Sequence, residues 1–173
     1  MKSFFKLAAL AIALLAPTLG HAGSLADGLK GFLVRLDQDK IVMAAPDALA
    51  DKKVIAIYYS AHWCPPCRAF TPELMEFYNE TKAKHPEFEL IFVSSDKSAA
   101  EMKKYLVWGK MKCLALDYSH RQLPLLKSLG ARGIPYLIVL DEAGKVLVAR
   151  PDGDDWMSPK KSLIQLKKLL AKK

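Results

Sequence analysis

With 173 residues, 51% of them apolar, the chain has room for one well-buried core, and multi-domain readings can be set aside. The formal charge of +8 raises nucleic-acid or anionic-membrane binding. The lysines are spread along the chain, however, and thicken mainly near the C-terminus where they alternate with leucines, so a solvated basic face is expected and no nucleic-acid partner. Three cysteines, an odd number, argue against a purely structural disulfide framework.

The chain starts with Lys2 and Lys6, an apolar run from Leu7 to Ala16, Pro17, and then Gly20, His21 and Ala22. Charge, apolar stretch and small residues in that order predict a secretory signal over 1–22, cleaved after Ala22. A spanning helix needs roughly 20 apolar residues, about twice what this run offers. Loss of Lys2 and Lys6 would lower the formal charge from +8 to +6. Residues 23–173 are expected to form a single domain, monomeric, and periplasmic or secreted.

Phe32–Leu36 and Ile41–Ala44 read as two strands around the polar turn Asp37 to Lys40, an opening hairpin. The continuous apolar run Val54–Tyr59 is a buried central strand. Pro65 opens a helix to about Lys84, with Phe70, Leu74, Phe77, Tyr78 and Thr81 on one face and Pro72 kinking it. Phe88–Val93 is a second buried strand. Ser98 and Glu101 form a capping box for a helix to about Trp108. A short strand at Leu114–Leu116 and a helix over Leu123–Leu129, ended by Gly130, follow. Tyr136–Leu140 and Val146–Ala149 are strands joined across Glu142 to Lys145, and a last helix from Ser158 and Pro159 buries Leu163, Leu166 and Leu170. The predicted class is α/β, a mixed central sheet with helices on both faces and an N-terminal β-hairpin.

The chemistry gathers at Cys64 and Cys67, with two residues between them. A zinc site needs about four ligands, and one further cysteine with few histidines does not supply them. Asp152, Asp154 and Asp155 likewise lack the spacing of a calcium loop, so no metal is expected. As a redox pair, Cys64 follows a buried strand and stands where a helix begins. The positive end of the helix dipole and the Cys67 N–H would both favour its thiolate, the reactive form. Pro65 suits the first helical position because its ring already holds the helical torsion, and Pro66 removes one more donor, which moderates the acidification. Cys67, one turn in, is the shielded resolving thiol. Far along the chain, Gly133, Ile134 and Pro135 precede an apolar strand. Only about one X–Pro bond in twenty is cis, so taken alone Pro135 reads as trans.

The stretch Tyr59 to Pro72, YSAHWCPPCRAFTP, resembles the tryparedoxin and nucleoredoxin branch of the thioredoxin superfamily, and FELIFVSSD (88–96) and GIPYLIVLD (133–141) extend the likeness. The resemblance implies a thioredoxin-like fold and thiol:disulfide oxidoreductase activity, with Cys64 as nucleophile and Cys67 as resolving cysteine. It implies that Trp63, Pro65, Pro66, Ile134 and Pro135 bind substrate, with Pro135 cis and the Ile134 backbone pairing with an extended segment. The redox-active pair Cys64–Cys67 would be the only cofactor, protein disulfides or dithiols the substrates, and a thiol protein, membrane-embedded in one version, the electron donor. Reduction is the expected direction.

The chain also departs from the pattern. Thioredoxins proper carry a buried acid where Tyr58 stands, so a proton on Cys67 must find another path. Where the branch reads MPWLALP this chain reads MKCLALD, which places Cys113 at a tryptophan position near the active-site side, as a small buried apolar residue. His62 is either a tuning group for Cys64 or an exposed loop residue. Two rival functions remain at this stage, a thioredoxin-like protein dedicated to cytochrome c maturation and a non-catalytic binding module.

Overall fold

The computed structural model describes residues 24–129, 133–148 and 159–172. The expected signal segment, Gly130, Ala149, the Asp152 to Asp155 loop and Ser158 lie outside them.

A helix that the apolar periodicity did not announce comes first, α1 (Leu25–Leu29). Ser24 caps it: its hydroxyl accepts from the Asp27 N–H, and the Asp27 carboxylate accepts from the Ser24 N–H. The opening hairpin follows as β1 (Leu33–Asp37) and β2 (Lys40–Met43), joined by Gln38 and Asp39 alone. Both have positive φ, 43° and 61°, the pair of left-handed residues that matches a two-residue turn to the twist of its strands.

The central strands are β3 (Val54–Ser60) and β4 (Phe88–Ser94), parallel and in register from Val54 beside Phe88 to Ser60 beside Ser94. Every residue of both is buried. Alternation explains the continuous apolar run of β3, because its successive side chains enter different cores. Val54, Ala56 and Tyr58 join one cluster, and Ile55, Ile57 and Tyr59 join the other.

Helix α2 (Pro65–Lys82) runs on through Pro72, whose missing N–H leaves the Arg68 carbonyl without its helical donor. Helix α3 (Ala99–Trp108) is capped by the Ser98 hydroxyl on the Glu101 N–H, but the reciprocal arm differs from the expected box: Glu101 reaches back to the Lys97 N–H instead of that of Ser98. Next come β5 (Leu114–Leu116), a 3-10 turn (Tyr118–His120), α4 (Pro124–Ser128), β6 (Tyr136–Leu140), β7 (Val146–Val148) and α5 (Pro159–Leu170).

The seven strands are ordered β2-β1-β5-β4-β3-β6-β7. The β3–β4–β5 portion is parallel, and β1, β2, β6 and β7 pair antiparallel at the two sides. Helices α2, α3 and α5 bury Leu74, Tyr105 and Leu166 on one face, and α1 and α4 bury Leu25 and Leu126 on the other. The mixed sheet with helices on both faces is therefore the predicted architecture. Truncating a fully buried leucine such as Leu74 would cost about 2–5 kcal/mol. Among the described residues no helix is long and apolar enough to cross a membrane. The fold leaves β3 and β4 ending side by side at Ser60 and Ser94, and the loops leaving those ends carry the site.

Candidate active site

Chain leaving β3 passes Ala61, His62 and Trp63 and enters α2 with Cys64 at the N-cap and prolines in the first turn. The Cys64 N–H donates to the Ala61 carbonyl at 3.2 Å, and the Arg68 N–H donates to the Cys64 carbonyl at 3.1 Å. Asp96, only 4% exposed, holds the same loop from the end of β4. Its Oδ1 accepts from the His62 N–H at 2.7 Å and its Oδ2 from the Ser94 hydroxyl at 2.8 Å. From the helix side the Arg68 guanidinium donates to the His62 carbonyl. The approach to Cys64 is thereby fixed on both flanks.

Both cysteines are present as thiols. Cys64 differs in two respects from an open thiolate at a helix start. It is not an exposed group: 5% of it is accessible, against 0% for Cys67, because Ala61 and Ile134 pack over the pair. Its sulfur also makes no capping bond to the helix. Instead the thiol points across to the Ile134 carbonyl, with Sγ 3.8 Å from that oxygen. A neutral S–H is a donor, and the carbonyl gives it an acceptor that a helix N-terminus lacks.

The Ile134–Pro135 bond is cis. Pro135 is buried, Ile134 half-buried, and Pro65 and Pro66 are exposed beside the sulfurs. Trp63 is 54% exposed and anchored by its indole N–H to the Ser95 carbonyl at 3.2 Å. The structure thus gathers all seven sequence-predicted site residues at one end of the sheet. A cleft of about 580 Å³ opens there, walled by Trp63, Ser95 and Asp96 on one side and by Gly133 and Ile134 on another.

Behind Cys67 lies a group of buried hydroxyls that the sequence reading did not identify. The Ser60 hydroxyl donates to the Tyr58 hydroxyl and meets that of Tyr105, both at 2.9 Å. Thr71 bonds Tyr58 at 2.9 Å, Tyr105 at 2.6 Å and the Cys67 carbonyl at 2.9 Å. Burial pushes the Cys67 thiol up to about 12, and its hydrogen bond with Cys64 adds to the rise; the Ser60 hydroxyl and the Ala61 backbone pull the other way. Burial also raises Tyr58 and Tyr105, so both phenols are neutral at ordinary pH. Where thioredoxins proper place an acid, this chain places a net of neutral donors. One signal was available: Tyr58 and Ser60 are two apart on one strand, hence on one face, and Thr71 lies one helical turn beyond Cys67.

His62 is not an exposed loop residue. It is half-buried, with its ring stacked on Tyr105 at 5.3 Å and beside Trp108 at 5.6 Å. Cys113 is buried as expected but stands away from the active-site side. It immediately precedes Leu114, which pairs with Ile91, three residues short of the Ser94 end of β4. Burial and then the neighbouring Glu89 charge push its thiol well up. Among the described residues no cluster of His, Cys, Asp and Glu is arranged to hold a metal.

Comparison with known proteins agrees with this geometry. A family model described as Thioredoxin-like matches residues 51–146. The chain is 45% identical to mouse (Mus musculus) nucleoredoxin over 95 residues, covering 54% of this chain and 21% of that protein. It is 35% identical to the tryparedoxin of Trypanosoma brucei brucei over 118 residues, covering 62% of this chain and 80% of that one. The chain spans about a fifth of the length of the nucleoredoxins it matches. Among solved structures, a Wuchereria bancrofti thioredoxin superposes with a TM-score of 0.62 at 34% identity, covering 82% of this chain and 97% of that one. A tryparedoxin II complexed with glutathionylspermidine gives 0.60 at 30%, covering 82% and 89%. With the CxxC pair at the start of α2 and these matches, the chain belongs to the thioredoxin superfamily, in its tryparedoxin/nucleoredoxin-like branch.

Proposed function

We propose that this protein reduces disulfides in partner proteins after export from the cytoplasm, with Cys64 as nucleophile and Cys67 as resolving thiol. The observation that carries the reading is the position of Cys64 between Trp63 and Ile134, two residues that line the cleft, with its thiol facing the Ile134 carbonyl and Cys67 sealed one helical turn behind it. An extended substrate segment lying along Ile134 brings its disulfide to Cys64, flanked by Trp63, Pro65, Pro66 and Pro135. Cys64 loses its proton and its thiolate attacks one substrate sulfur, and the other sulfur leaves as a thiolate that takes up a proton. Cys67 then attacks Cys64 in the mixed disulfide. The S–S bond to the substrate breaks, the substrate leaves as a dithiol and the protein as the Cys64–Cys67 disulfide. Two electrons have passed from protein to substrate, and a thiol protein as electron donor restores the dithiol by the reverse steps.

Cys67 is the harder thiol to ionise. Among the described residues no carboxylate is bonded to it, so its proton passes to the departing substrate thiolate while the Ser60 hydroxyl stabilises the negative sulfur left behind. The signal-like segment 1–22 supports export, and the protein works without metal, without any cofactor beyond its cysteine pair, and as a monomer.

The two cysteine variants test the roles. Cys64→Ser should reduce insulin no faster than background. Cys67→Ser should attack without releasing, and so accumulate mixed disulfides with its partners in the periplasm, separable without reductant. Trapping by Cys64→Ser alone would reverse the roles, and no insulin reduction by the unaltered protein would overturn the reading.

A further inference from the structure

The cleft beside Cys64 carries two cations that the disulfide chemistry does not use. Arg121 and Lys127 line it together with Trp63. Asp96 is the one carboxylate in its wall among the described residues, and both its oxygens are turned inward to the His62 N–H and the Ser94 hydroxyl. The fold holds the Arg121 side chain and the helix that carries Lys127. The Arg121 guanidinium lies 3.9 Å from the centre of the Tyr118 ring and donates to the Tyr118 carbonyl at 3.0 Å, and its other N–H donors exceed what that one bond consumes. Lys127 is exposed on α4, and two tyrosines of the sheet fasten that helix. The Tyr59 hydroxyl donates to the Leu126 carbonyl at 2.8 Å, and the Tyr136 hydroxyl to that of Leu129 at 3.4 Å.

We infer that Arg121 and Lys127 select substrates in which Asp or Glu residues flank the half-cystine presented to Cys64. This rests on the reductant reading above and names the substrate class of the same site. A segment paired along Ile134 runs beside the cleft, so its side chains next to the cysteine project toward the two cations. The positioned Arg121 guanidinium attracts a carboxylate at little ordering cost, Lys127 adds a second positive charge, and both repel a lysine in the same place.

The test uses three synthetic peptide disulfides, identical except that Glu, Gln or Lys flanks the half-cystine. For the unaltered protein kcat/KM should be about tenfold higher for the Glu than for the Lys peptide at low salt, each cation contributing about threefold. The preference should shrink in about 0.5 M salt as screening sets in. Lys127→Gln and, separately, Arg121→Gln should each cut the Glu-to-Lys ratio to about three. Equal rates on the three peptides, or a ratio that Lys127→Gln leaves untouched, would overturn the inference while the reductant reading stands. Faster turnover of glutathione disulfide than of the Glu peptide would assign the cations to a small anionic thiol and overturn the protein-segment assignment. Failure on every peptide and on insulin would overturn the reductant reading, and this inference with it.

Discussion

Cys67 and Cys113 are both sealed from solvent, 0% and 1% exposed, and both thiols are shifted upward by burial, yet they sit in contrasting surroundings. At Cys67, where the chain turns into a helix behind Cys64, the Ser60 hydroxyl and the Ala61 backbone work against the rise. Cys113 lies just before β5, where Glu89 adds a negative charge that opposes ionisation further. Glu89 itself is buried with the Tyr78 hydroxyl and the Lys82 ammonium as partners. Burial alone therefore does not separate a working thiol from a structural one. What separates them is the set of donors that would meet a thiolate if one formed.

The broadest effect expected from this comparison is on stability at alkaline pH. Both thiols titrate higher in the folded than in the unfolded chain, where cysteines ionise near pH 9. The folded protein then holds protons that the unfolded chain has lost, so the stability present below pH 9 is lost as pH rises toward the folded values. Each thiol contributes a slope of about 1.4 kcal/mol per pH unit. Denaturant titrations of the reduced protein from pH 8 to 10.5 should show this decline, and Cys113→Ala should make it shallower; a flat profile would contradict the burial argument for both.

A rate effect comes next. Ser60→Ala removes the hydroxyl that lowers Cys67 while keeping the strand. Release of a preformed mixed disulfide should slow about tenfold, since a hydrogen bond to a charged group is worth about 1.5–3 kcal/mol. Quench-flow measurement should show that loss at all pH values from 7 to 9, and Ser60→Thr, which keeps a hydroxyl, should recover most of it. An unaltered release rate would make the hydroxyl net a structural feature only. The smallest effect is at Cys113. Cys113→Ala should turn over insulin within about twofold of the unaltered protein and lose about 1 kcal/mol of stability. Native Cys113 should resist alkylation; rapid labelling would remove the contrast with Cys67.

Much of this was legible in the sequence because it is local. The Val54–Tyr59 run, the Ser98 cap, the turn at Gln38 and Asp39 and the proline-flanked cysteines each write a backbone preference into a few adjacent residues. Helix α1 was passed over because five residues are too few to show a period, although Ser24 and Asp27 carry its cap. The inward pose of Cys64 was misjudged for a different reason. A helix N-cap predicts exposure, whereas Ile134, seventy positions away, covers the sulfur.

The sequence by itself determined the order of strands and helices, the alternation that splits β3 between two cores, and the two cysteines at the start of α2. Periodicity, caps and prolines act over a few residues and survive without a partner segment. Tertiary structure alone decided that Ser60, Tyr58, Thr71 and Tyr105, from one strand and two helices, close into a hydroxyl net at Cys67. It also brought Arg121 and Lys127 to the cleft of Cys64 and left Cys113 away from it. Those juxtapositions depend on strand register and on which face each helix covers, and no run of neighbouring residues encodes either.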